Sequence, residues 1–121
     1  MTDPLNLATR YIALWNETDP DRRRVLLAQD WTPDATYADP LVQRTGQAAI
    51  AELIAAVQER FPGCRFALEG QVDGHGNHLR FSWRLGPQGG EAIVRGTDFA
   101  VTDGRRFRAV TGFLDQAPSV A

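Results

Sequence analysis

The chain predicts an α+β fold: three N-terminal helices packed on a strongly curved, mostly antiparallel sheet, in a single domain over residues 1–121. Three observations lead there. Apolar residues recur at three- and four-residue spacing as far as Phe61, behind helix-start pairs at Asp3-Pro4 and Asp19-Pro20. From Arg65 onward the pattern changes to segments rich in aromatic and β-branched residues, divided by Gly-rich turns. Helices first and consecutive strands afterwards place the helices on one face of the sheet.

Each element follows from its residues. Asp3 can cap the first helix with Pro4 at its first position, and Leu5, Ala8, Tyr11, Ile12 and Trp15 make one apolar stripe. Asp19-Pro20 starts a second helix through about Gln29, whose Arg22, Arg23 and Arg24 are expected to face water. Ala35 to Ala38 reads as a short strand that Pro40 stops. A third helix runs from Gln47 to Arg60, buries Ile50, Leu53, Ile54, Val57 and Phe61, and ends at Phe61-Pro62-Gly63. Four strands follow: Arg65 to Val72, His78 to Leu85, Glu91 to Val101, and Phe107 to Phe113, joined by turns at residues 73–77, 86–90 and 102–104.

Composition removes several functions. The chain has 121 residues, of which 43% are hydrophobic. That suits one domain burying roughly two-thirds of its unfolded surface. No apolar run approaches the ~20 residues that span a bilayer. Net charge is −2 and the only basic block is Arg22-Arg23-Arg24, so nucleic-acid binding is not expected. The first residues lack a secretory pattern and Cys64 is the sole cysteine, so the cytoplasm is the expected compartment. All 13 basic residues are arginine. Without a lysine amine, Schiff-base catalysis, pyridoxal phosphate and the phosphate-binding loop are excluded. Ser82 and Ser119 are the only serines and neither sits in a hydrolase elbow.

Three side chains stand out for chemistry: Tyr11 on the first helix, Asp39 closing the short strand, and Asp98 inside a long strand. In a small α+β cone these places can converge on one apolar pocket. Removing a proton next to a carbonyl builds charge on oxygen, which preorganised donors must meet, and needs a base whose pKa an apolar pocket has raised. Trp15, Tyr37, Phe81, Trp83 and Phe113 are the expected pocket walls.

Arg10-Tyr11-Ile12-Ala13-Leu14-Trp15-Asn16 is similar to the first-helix pattern of the ketosteroid isomerases. Asp34 to Pro40 resembles their following strand, and Thr45-Gly46-Gln47-Ala48-Ala49-Ile50 the start of their long helix. Gly96-Thr97-Asp98-Phe99 through Gly112-Phe113-Leu114-Asp115 looks like the closing hairpin of SnoaL-like proteins. Over nearly its whole length the chain therefore resembles the NTF2-like superfamily, which includes ketosteroid isomerase, SnoaL-like polyketide cyclases and scytalone dehydratase. The resemblance implies a cofactor-free isomerase, cyclase or lyase acting on a small apolar carbonyl compound. It puts Tyr11 at the oxyanion-stabilising phenol, Asp39 at the isomerase base, and Asp98 at the second acid or the cyclase base. It also implies a homodimer through the outer sheet face, with Phe99 and Val101 as contacts.

Other readings stay open at this stage. A strand phase set on Phe99 would turn Asp98 to the opposite face. Asp39 before Pro40 suits a turn cap, and Tyr11 suits a core aromatic. Arg80, Arg84 and Arg95 read as an exposed ladder. His75 and His78 lack a third metal ligand, and Cys64 lacks a neighbouring base. A noncatalytic ligand-binding or dimerisation module of the same fold is the alternative function.

Overall fold

Asp3 caps the first helix as the sequence predicts: its carboxylate accepts the Asn6 N–H at 3.3 Å, and Pro4 opens the helix. The computed structural model describes residues 3–118. In it α1 spans Pro4–Asn16 and buries Leu7, Ala8, Tyr11, Ile12, Leu14 and Trp15, while Leu5 lies off that stripe and is exposed. Asp19 caps α2 (Pro20–Asp30) through the Asp21 N–H at 3.0 Å. The third helix, α3 (Gln47–Arg60), buries Ile50, Leu53 and Ile54 and ends at Phe61.

Six strands form one sheet: β1 (Trp31–Ala38), β2 (Gln43–Thr45), β3 (Cys64–His75), β4 (His78–Pro87), β5 (Val94–Thr102) and β6 (Phe107–Gln116). Their order is β2-β1-β6-β5-β4-β3; every pairing is antiparallel except β1 with β6. The first strand begins at Trp31 rather than Ala35, and the three-residue β2, too short to show alternation, had no sequence signal. Register shifts between Glu69 and Asp73 and along β5–β6 are the bulges that bend such a sheet. Alternation on β4, β5 and β6 divides two faces. Leu79, Phe81, Trp83, Leu85, Val94, Asp98, Ala100 and Val110 are buried under the helices. Arg95 points the other way, to Glu69 at 3.0 Å, and Thr97 donates to Asp115 at 2.7 Å.

A polar knot fastens the helices to this sheet. The Asn16 side chain donates to the Phe66 carbonyl at 2.9 Å and accepts the Phe66 N–H at 2.8 Å, which occupies the outer edge of β3. Gln58 donates to the carbonyls of Trp15 and Glu17. Arg23 completes the knot, and here the water-facing expectation for the arginine run is corrected. Its guanidinium donates to the Glu17 carbonyl at 3.2 and 3.0 Å and to the Gln58 side chain at 2.8 Å, and the residue is 5% exposed. Helical phase turns the middle arginine of the three inward; Arg22 and Arg24 remain outside. Among the described residues no helix is long and apolar enough to cross a membrane.

Removing Arg23 would leave the Gln58 side-chain oxygen without its donor and the Glu17 carbonyl held by Gln58 alone, with a gap where the buried guanidinium stood. Arg23→Ala is expected to lower unfolding free energy by roughly 2–3 kcal/mol, against less than about 0.5 for Arg24→Ala. Urea unfolding of the two variants checks this, and equal midpoints would mean that the knot contributes nothing.

Candidate active site

Beneath the helices the sheet leaves a cavity of about 450 Å³. Tyr11 and Trp15 reach it from α1, Tyr37 from β1 with Asp39 just past its end, and Leu53, Val57 and Arg60 from α3 with Phe61 just past its end. Phe66, Trp83, Leu85, Val94, Asp98 and Leu114 contribute from the sheet. Aromatic contacts make much of the wall, with ring centroids 5.5 Å apart for Trp15–Tyr37 and 5.3 Å for Phe66–Trp83. Its volume is that of a small-molecule site, and its lining is mainly apolar.

Asp98 points inward. It is 2% exposed, and its Oδ2 accepts the Tyr11 hydroxyl at 2.5 Å across 87 residues of chain. Tyr11 itself is held by rings on several sides: Trp31 stacks at 5.9 Å, and Phe81 and Phe107 stand edge-on at 4.9 and 5.6 Å. The other oxygen, Oδ1, is buried and accepts no hydrogen bond.

A second pair lies beside the first. The Tyr37 hydroxyl donates to Asp39 Oδ2 at 2.8 Å, while Asp39 Oδ1 accepts the N–H groups of Leu41 and Val42 at 2.8 and 3.0 Å. Asp39 is thus both a turn cap and a cavity residue. The two pairs meet over Gly112. A Cβ there would stand 2.8 Å from Asp98 Oδ1 and 3.5 Å from both Asp39 Cβ and the Tyr37 hydroxyl. Gly112 also pairs with Asp98 in the β5–β6 register, so its missing side chain is the space the carboxylate occupies.

Electrostatics follow from this dryness. Burial pushes the Asp98 pKa up to about 6, while the hydrogen bond from Tyr11 and the nearby, unbonded N–H of the Trp83 indole favour the anion and pull against that rise. Both phenols are held well above their ordinary range, by burial first and then by the charge of Asp98.

Two expected walls lie elsewhere. Phe113 is corrected to the outer face: it is 52% exposed and packs edge-on against Phe99 at 5.7 Å. Alternation explains it, because Gly112 and Leu114 take the inward places on β6. Phe81 is buried in the core against the Tyr11 ring and is not part of the cavity wall. From the residues alone Tyr37 is expected only as a wall and nothing singles out Gly112; a glycine opposite a strand aspartate is the signal that marks it. His75 and His78 sit across the β3–β4 turn with rings 5.8 Å apart. Among the described residues no group of three or more His, Cys, Asp or Glu could hold a metal ion.

The family model for the SnoaL-like domain matches residues 8–110. The chain belongs to the SnoaL-like family. A proposed isomerase of that family from Agrobacterium tumefaciens is 47% identical over 95% of this chain and 99% of its own, with a TM-score of 0.88. At lower identity the fold alone is shared. A protein with a ketosteroid isomerase-like fold from Catenulispora acidiphila, solved with trimethylamine, has 19% identity over 92% of this chain and 85% of its own, at a TM-score of 0.72. A proposed SnoaL-like polyketide cyclase from Jannaschia sp. CCS1 has 17% identity over 95% and 90%, at 0.71. No curated protein matches. The cone with its helices over a mixed six-stranded sheet is thus the NTF2-like fold that the sequence predicted, in its SnoaL-like form.

Asp98 leaves a mark on stability. Its pKa is 3.8 in an unfolded chain and about 6 here, so the folded protein holds more protons between those values. Stability is therefore fully present below pH 3.8 and falls as pH rises to about 6, by on the order of 3 kcal/mol. Asp98→Asn cannot titrate. The difference in urea stability between wild type and Asp98→Asn is expected to shift by that amount across the window, in favour of wild type at the acid end. A pH-independent difference would mean that the carboxyl is hydrated in solution.

Proposed function

We propose that this SnoaL-like protein is a cofactor-free enzyme of isomerase, cyclase or lyase type that moves a proton next to a carbonyl of a small apolar ligand. Asp98 is the base, and Tyr11 holds it in place. The observation that carries this reading is a buried carboxylate with one oxygen on a phenol and the other unpartnered, in an apolar cavity. Such a base is stronger than an exposed aspartate yet ionised near neutral pH. Asp39, with both oxygens engaged by Tyr37 and its own turn, is a weaker candidate for the base and a better one for positioning. That engagement also favours the alternative, a binding module without turnover.

Deuterium exchange at the α-carbon of small cyclic ketones, followed by NMR, separates the two. Exchange is expected to rise with pH through about 6 and then level, and to fall by at least about a thousandfold in Asp98→Asn. Tyr11→Phe removes a group that lowers the Asp98 pKa, so its profile is expected to move to higher pH. Ketone binding without exchange in wild type would make the protein a binding module.

The outer face suggests a homodimer. Phe99 and Phe113, 43% and 52% exposed, form an aromatic patch on neighbouring strands. Sedimentation is expected to give a dimer that Phe99→Asp with Phe113→Asp converts to a monomer; a monomeric wild type would refute the contact. The free Cys64 suits a reducing cytoplasm.

A further inference from the structure

Most buried polar groups find a partner, so those that do not are informative. Three indole N–H groups, of Trp15, Trp31 and Trp83, are buried without an acceptor, and Asp98 Oδ1 is buried without a donor. An indole nitrogen can only donate. Trp31 does not line the cavity; Trp15 and Trp83 do. Of these two, the Trp15 N–H acts on the Tyr11 phenol, and the Trp83 N–H acts on the Asp98 carboxylate.

Strand geometry fixes the Trp83 ring beside that carboxylate. Trp83 pairs with Gly96 on the neighbouring strand, and its indole lies over the glycine: a Cβ at 96 would stand 2.3 Å from Cζ2 and 2.7 Å from Cε2, the carbon that bears the nitrogen. Gly96 and Asp98 share the inward face of β5, about 7 Å apart along the strand. The indole N–H and the Asp98 Oδ1 are therefore near neighbours in one dry cavity, a donor and an acceptor that do not bond each other. A carbonyl compound supplies what both lack: an oxygen for the donor and, one carbon away, an acidic C–H for the acceptor.

We propose that the Trp83 indole N–H is the oxyanion donor of this site, taking the carbonyl oxygen while Asp98 Oδ1 takes the adjacent proton. This rests on the proton-transfer reading above. The C–H electron pair becomes the enolate double bond, the carbonyl π pair moves onto oxygen, and the growing negative charge is met by the indole. Asp98 then returns the proton to a carbon of the enolate, so no external acid, oxidant or metal enters the balance. Tyr11, whose proton already lies on Asp98 Oδ2, is the positioning residue for the base rather than the group that meets the enolate. Gly96 is a positioning residue for Trp83.

The test uses 3,4-dinitrophenolate as the enolate mimic and the Asp98→Asn chain as the stand-in for the protonated base. Above pH 7 the phenolate is expected to bind Asp98→Asn at least about tenfold more tightly than wild type, because a charged neighbour is removed. Adding Trp83→Phe, which keeps a ring and deletes the N–H, is expected to cost about tenfold in affinity. Gly96→Ala, which displaces the indole, is expected to do the same. In the unsubstituted chain below pH 6, the Trp83 indole proton is expected to move downfield on binding while that of Trp31 stays. An unmoved Trp83 resonance, or affinity within twofold after Trp83→Phe, overturns the assignment to Trp83. Equal binding to wild type and Asp98→Asn overturns instead the placing of Asp98 beside the reacting oxygen. No binding to any chain overturns both.

Discussion

The hydrogen bond from Tyr11 to Asp98 joins the first helix to the fifth strand in the buried interior of the cone, and the surrounding packing is arranged around it. A carboxylate at 2% exposure is stable only where its neighbours replace water. One oxygen has the phenol; the other has space made by Gly112. The phenol in turn could not be aimed without Trp31, Phe81 and Phe107 around its ring. Three core aromatics therefore serve the site without touching the cavity, and the distinction between packing and chemistry dissolves at Tyr11.

Alternation along the strands then sorts what the cavity contains. Because side chains on β5 point to opposite faces by turns, one phase brings Gly96, Asp98 and Ala100 inward and sends Arg95, Thr97 and Phe99 out. Slipping that phase by one residue would bring Arg95 inside and expel the carboxylate. The apolar neighbours on the same face hold the register, since the slip would expose them as well. Arg95 and Asp98 therefore face apart. The outer face is left polar and salt-bridged, apart from the Phe99–Phe113 patch.

Much of this was legible in the residues. Asp-Pro pairs mark two helix starts because capping and proline chemistry are local, and the Phe61-Pro62-Gly63 stop is local too. The strand segments were recognisable from their composition, though β2 and the first residues of β1 were not, since three residues carry no period and Trp31 follows the helix directly. Side-chain direction was harder. Arg23 looks like its neighbours in a run of arginines, and only the position of Gln58 and the Glu17 carbonyl explains why it turns inward. Phe113 was placed by its aromatic character when its phase on β6 points it outward. Tyr37 was assigned by its ring, although its hydroxyl on Asp39 ties the two pairs together. Locally determined features were readable; those set by which partner stands across the sheet or helix were not.

The strength of the proposed base is set by two opposing effects that the fold supplies separately. Burial alone would carry Asp98 further up, towards a carboxyl that stays protonated at neutral pH and accepts nothing from a substrate. The Tyr11 hydroxyl and the Trp83 indole act in the other direction by favouring the anion. Their balance near 6 leaves roughly nine carboxylates in ten ionised at pH 7, with a basicity about a hundredfold above that of an ordinary aspartate. When the carboxylate gains a proton, the Trp83 N–H loses the charge it was stabilising just as negative charge grows on a bound carbonyl oxygen. A donor that follows the charge from base to substrate needs no large rearrangement during the transfer, which is what a preorganised site provides.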